Sequence, residues 1–188
     1  MSAHLLVLTG AMLLLIPGPT NTLLAAAGTL NGFRRSLHLL FAELFGYSVS
    51  VFTISSLLTA WAVGVPAIAQ VLRALSGTYL LILAAYSWSV NRDHTAPSPT
   101  FARILITTIL NPKALIFASI VSSMEPSTDK ASALILLFVI PLVGSGWISF
   151  GAFAGWLILK RYTRFVPRFT SIILAAFGVA LLIKVVAY

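Results

Sequence analysis

Residues 5–30 read LLVLTGAMLLLIPGPTNTLLAAAGTL, with no charged side chain and with Pro17-Gly18-Pro19 near the middle. At 1.5 Å of helical rise per residue, about 20 apolar residues cross the roughly 30 Å hydrocarbon core of a bilayer. The stretch therefore predicts a membrane helix with a break inside it. Proline removes a backbone donor and clashes with the preceding turn, and glycine relaxes the chain. Carbonyls and amides released there must be buried in protein or face water, because lipid offers them no partner.

Outward from this segment the same pattern repeats. Apolar runs at Ser36–Ala60, Pro66–Trp88, Phe101–Ser123, Ala131–Leu159 and Phe169–Ala187 join Leu5–Leu30 as six candidate spans. Between them lie Asn31–Arg35, Trp61–Val65, Ser89–Thr100, Met124–Lys130 and Lys160–Arg168. The runs are continuous and do not alternate in period two, which argues against a β-barrel. Helices satisfy their own backbone in lipid, so the expected class is an all-α membrane protein. The composition agrees: 59% of the 188 residues are apolar, 9% are charged, and mean hydropathy is +1.01. About a quarter of a soluble domain's residues are charged. A soluble enzyme, an ordinary DNA-binding module and a disordered tail are thereby excluded. Cysteine is absent, which removes disulfide frameworks, CxxC redox chemistry and thiolate metal sites.

The net charge of +8 sorts by connection. Arg34, Arg35, Arg92, Arg103, Lys160, Arg161, Arg164 and Arg168 flank the first, third and fifth connections, whereas Arg73, Lys130 and Lys184 flank the other side and Lys113 lies inside a span. Lys and Arg are retained on the cytoplasmic face. Both termini are thus expected outside, and the basic balance is a topology signal. Nucleic-acid binding is not expected, since neither basic cluster is long enough to form a groove. Leu5–Ile16 followed by Ala25-Ala26-Ala27 has a superficial likeness to a signal peptide, but Arg34-Arg35 follow the apolar run and no basic residue precedes it. It is read as a retained first helix.

A second break, Asn111-Pro112-Lys113, interrupts the fourth run. Pro17 and Pro112 are 95 residues apart, and Ile82-Leu83-Ala84-Ala85-Tyr86 resembles Ile173-Leu174-Ala175-Ala176-Phe177 at an offset of 91. These offsets predict a duplication, residues 1–92 and 99–188, hinged at the Pro97/Pro99 connection within one transmembrane domain. Each half holds three spans, an odd number, so the halves are expected to be inverted. Asn111 lies about 15 Å into its span and Pro17 about 18 Å into its own. Paired interruptions near the midplane of inverted halves predict a solute site.

Pro17-Gly18-Pro19, Gly32-Phe33-Arg34-Arg35, Gly46 and Asn111-Pro112-Lys113-Ala114 occur in an order and length that resemble the LysE/RhtB amino-acid exporter family. The resemblance implies efflux of amino acids or related metabolites across a bacterial inner membrane, driven by an ion gradient, with both termini periplasmic. Ser36 and Ala42 stand where the family usually has further glycines, and Glu43 where an apolar residue is common.

Several polar residues in the spans are candidates for chemistry. Facing lipid, a carboxylate at position 43 would cost at least ~2.5 kcal/mol. Glu43 must therefore point inward, pair with a cation or carry a proton. It is the candidate for proton coupling or for a substrate amine; an interhelical hydrogen bond is the structural alternative. Tyr47 at i+4 and Ser50 at i+7 extend its polar stripe, with packing as the alternative for Tyr47. Lys113 would hold a substrate carboxylate, pair with Glu43 or snorkel. Asn111 suits a zwitterion or a cap, and Thr20 and Asn21 follow the first break where helix-start amides face anions. With Pro17, Gly18, Pro19 and Pro112 these form the expected substrate and gating set. His38 reads as an interfacial structural residue. Gly28-xxx-Gly32, Ala42-xxx-Gly46 and Gly151-xxx-Gly155 are close-packing patterns, for internal contacts or a homodimer. No HExxH, GxSxG or carboxylate cluster occurs, so no enzyme, metal or cofactor is expected. The expected partners are an amino-acid-like solute and membrane lipid. An intramembrane enzyme and a non-transporting scaffold or assembly subunit are the competing readings.

Overall fold

A computed structural model describes residues 3–60, 65–89, 99–111, 113–114, 116–118, 130–157 and 165–186. Pro112, most of the Ser89–Thr100 hinge, the basic cluster at 160–164 and much of Met124–Lys130 lie outside the described residues. Among the described residues every regular element is helical: α1 (Ala3–Leu15), α2 (Pro19–Asn31), α3 (Phe33–Ser36), α4 (Leu39–Ala60), α5 (Val65–Ser89), α6 (Phe101–Ile109), α7 (Lys130–Leu157) and α8 (Val166–Val186). Residues 113–114 and 116–118 are helical beyond α6.

Four helical stretches are long and apolar enough to cross a membrane, and α1 with α2 make a fifth if the bent pair counts as one span. The two meet at 57° across Ile16–Gly18, as the proline pair requires. Pro19 sits in the first turn of α2, where its missing N–H costs nothing. The expected second span starts at Leu39; Phe33–Ser36 form their own short turn. Gly32 separates α2 from α3 at φ +79°, ψ 170°, with its N–H on the Gly28 carbonyl. That backbone region is essentially restricted to glycine.

The burial pattern is that of a protein dissolved in lipid. Phe41, Phe52, Phe138, Phe150, Phe153 and Trp156 are exposed, while Thr20, Asn21, Glu43, Ser50, Ser76, Thr107, Thr108 and Asn111 are buried. On α4 the buried set is Leu39, Ala42, Glu43, Gly46, Tyr47, Ser50 and Ile54, a single face at helical spacing.

Glycines bring the helices together. A Cβ on Gly28 would strike the Ile148 carbonyl, and one on Gly151 the Ala25 carbonyl. Thr29 Oγ1 donates to the Gly151 carbonyl at 2.9 Å. Gly28 and Gly151 thus serve internal α2–α7 packing. Gly32 does not, since a Cβ there would meet nothing within 4 Å; its backbone angle accounts for it instead. Gly77 and Gly178 face each other, a Cβ on either meeting the other's carbonyl at 3.0 Å.

Chain directions follow from these contacts. Ala25 with Gly151 and Thr29 with Gly155 make α2 and α7 parallel. Gly46 with Thr108 and Ser50 with Ile109 make α4 and α6 parallel. Gly77 with Gly178, Ala84 with Ser171 and Trp88 with Arg168 make α5 and α8 antiparallel.

Candidate functional site

The expected gating residues are brought together at the interior ends of α2 and α6. Thr20 Oγ1 lies 3.3 Å from Thr108 Oγ1 and accepts from Asn111 Nδ2 at 3.2 Å. The two breaks are therefore joined directly, across 91 residues of sequence.

Each break is repaired by side chains. At the first, Gly18 and Pro19 cannot continue the α1 ladder, and Asn21 Nδ2 reaches back to the carbonyls of Leu14 (2.9 Å) and Ile16 (3.0 Å). The Lys113 ammonium also donates to the Ile16 carbonyl. A Cβ on Gly18 would lie 3.0 Å from Lys113 Nζ, so the glycine leaves room for the lysine to cross. At the second break, Lys113 N turns to Asn111 Oδ1 (3.0 Å) and Ala114 N to the Asn111 carbonyl (2.8 Å). This strands the Ile109 and Leu110 carbonyls. Ser50 of α4 donates to Ile109 at 3.2 Å, and Ser76 of α5 donates to Leu110. Both hydroxyls also lie within reach of their own helix, at Gly46 and Leu72. Buried polar backbone demands such partners.

Glu43 is buried one helical turn before Tyr47 on the inner face of α4. Its Oε2 has no hydrogen-bond partner among the described residues. A Cβ on Gly144 of α7 would collide with that same oxygen. Tyr47 is buried and tilted against Phe117, with ring centres 5.4 Å apart. No Glu43–Lys113 ion pair is formed among the described residues; the lysine is hydrogen-bonded to the Ile16 carbonyl instead. Pro19, Ser76, Tyr79, Thr107, Leu110 and Asn111 line a crevice beside the breaks that is too tight for a water molecule.

Sequence reasoning missed Ser76, Thr108 and Gly144. Ser76 and Thr108 carry no local signal beyond being small polar residues in apolar runs, and only the fold sets them against the breaks.

Long apolar helices, an exposed aromatic surface and a buried polar seam define a multi-pass membrane protein. The chain belongs to the LysE type translocator family, whose model matches residues 11–185. It is accordingly a membrane transporter, of a family of translocators and not of enzymes. No curated protein and no solved structure matches the chain.

Proposed function

We propose that this transporter exports amino acids or related small metabolites from the cytoplasm of a bacterium by proton antiport, with alternating access around the two breaks. The observation that carries the reading is the Asn111–Thr20 hydrogen bond, which makes one centre of two interruptions. The parallel and antiparallel contacts above support six crossings. For α7 to run parallel to α2, the chain from Phe101 to Lys130 must pass from one end of the bundle to the other. Helix pairing also survives exchange of the halves: α2 packs on α7 as α6 packs on α4, and α5 packs on α8. This supports two inverted three-helix repeats, residues 1–92 and 99–188, with both termini periplasmic as the basic connections require.

In the proposed cycle Glu43 carries the coupled proton. When it ionises, its carboxylate draws the Lys113 ammonium from the Ile16 carbonyl and off Gly18. Asn21 still holds Ile16, so no backbone group is orphaned while the first break loosens. Reprotonation releases Lys113 to close it. Asn111, Thr20 and Lys113 then offer a solute donors and acceptors at the moment the Asn111–Thr20 bond parts. Tyr47, packed on Phe117, keeps water from Glu43 on that side.

The test is solute movement in membrane vesicles under an imposed pH gradient, with metabolite profiling of a deletion strain fed dipeptides to identify the solute. Cytoplasmic accumulation of one amino acid in the deletion strain, reversed by the intact chain, is the expected outcome. Unchanged metabolite pools would favour the scaffold reading.

A further inference from the structure

On α7 the buried residues Leu136, Ile140, Gly144 and Ile148 follow one another at intervals of four, a single stripe of the helix. Leu136, Ile140 and Ile148 are large and apolar, so Gly144 leaves a notch between two isoleucines. The carboxyl of Glu43 fills it. A Cβ on Gly144 would lie 2.2 Å from Glu43 Oε2 and 2.8 Å from Leu40 Cδ2, both inside the 3.0 Å below which such contacts essentially never occur. Gly146, two residues on, has nothing within 4 Å of its Cβ position, so open space of this kind is not what places the carboxyl.

Glu43 is 1% exposed, and its Oε2 has no hydrogen-bond partner among the described residues. Buried polar atoms are rarely left so. The hydroxyls that flank the notch along α7 are turned inward to their own helix, Ser145 to the Leu142 carbonyl and Ser149 to the Ser145 carbonyl. The charged and titratable groups on the elements packed against α4 are held elsewhere. α7 carries Lys130 at its start, about 21 Å before Gly144 at helical rise, and no other such residue through Leu157. On the α6 side, the Arg103 guanidinium lies over the Tyr86 ring of α5, 4.4 Å from its centre, and the Lys113 ammonium is on the Ile16 carbonyl. On α4 itself, Tyr47 is packed against Phe117.

We propose that Gly144 is the positioning residue for Glu43: by presenting no side chain it seats the carboxyl on α7, apart from the Lys113 ammonium, and so sets the pH at which the coupled proton is exchanged. This rests on the reading of Glu43 as the proton carrier. The seat also places the carboxyl on the helix that packs against α2 through Gly28 and Gly151.

An added methyl at Gly144 meets only the ends of two flexible side chains, so Gly144→Ala is expected to fold and to move the carboxyl. Infrared titration of the purified full chain in detergent reads that carboxyl directly. The chain has four Asp and Glu residues, and Asp93, Glu125 and Asp129 fall in the connections between apolar runs; the Glu43 band is the one missing from Glu43→Gln. Gly144→Ala is expected to displace its protonation midpoint by about one pH unit or more, a tenfold change in proton affinity, and Gly146→Ala to leave it in place. An unchanged midpoint in Gly144→Ala, or an equal displacement in Gly146→Ala, overturns the proposal. Should Gly144→Ala not fold, Glu43→Asp carries the same test by drawing the carboxyl one methylene out of the notch. A displacement of about one unit beyond the ~0.4 by which the two acids differ in water is then expected, and a smaller one overturns the proposal. The titration involves no solute, so its failure and a failure of the proton-antiport reading, which is tested by solute movement, are distinguishable.

Discussion

Glu43 is a carboxylate with an unpartnered oxygen, among the described residues, inside a membrane protein, and a residue placed so has one direct test. Glu43→Gln keeps the shape and removes the titration. Its expected effect is solute movement that no longer responds to an imposed pH gradient, measured in vesicles; unchanged pH dependence would remove Glu43 from the mechanism. Ser76 makes a different prediction. Ser76→Ala deletes the hydroxyl that serves the Leu110 carbonyl, and a buried acceptor left unpaired costs about 1–3 kcal/mol. The detergent unfolding midpoint should fall accordingly, whereas Ser48→Ala, on the exposed side of α4 and bonded only within it, should leave the midpoint nearly unchanged. Glu43 is legible from the sequence because a carboxylate in lipid is so costly. Ser76 is not, because a serine in an apolar run looks ordinary until another helix puts a stranded carbonyl beside it.

The elements themselves divide between what local chemistry dictates and what packing dictates. The Pro17–Pro19 break and the starts of α2 and α6 follow from proline geometry and from the Thr100 cap, whose Oγ1 accepts from Arg103 N at 3.3 Å. The end of α2 at Gly32 is easily taken for packing, because a glycine four residues after another looks like a helix contact; backbone angle and steric surroundings must be known to separate the two uses. Gly32→Ala should cost about 1–3 kcal/mol for its backbone region, seen as a lower unfolding midpoint. At the α2–α7 contact Gly151→Ala should prevent native assembly, because its Cβ meets the Ala25 backbone and no flexible side chain can yield. Gly146→Ala on the same helix should be tolerated, having nothing within 4 Å. Loss of the monodisperse folded species for the first variant and its retention for the second would be read by size-exclusion chromatography.

For the molecule as a whole, membrane class and the pairing of two interrupted helices are legible because charge depletion and misplaced prolines are visible without coordinates. The direction of each helix relative to its neighbours is not, since it resides in contacts such as Gly77 with Gly178. The natural chain has no cysteine, so an introduced pair reports alone. Thr20→Cys with Thr108→Cys, at positions whose hydroxyls lie 3.3 Å apart, should form a disulfide on oxidation and stop solute movement until a reductant is added. Continued movement in the crosslinked protein would mean that the two breaks need not separate. Ser50 and Ser76 each carry one hydroxyl hydrogen and stand between two carbonyls, one on their own helix and one on the fourth span. Turning to its own helix keeps each hydroxyl bonded but takes the donor from the Ile109 or Leu110 carbonyl. The fourth span can therefore slide away only as water or a solute takes over those two carbonyls, which ties its movement to the wetting of the passage.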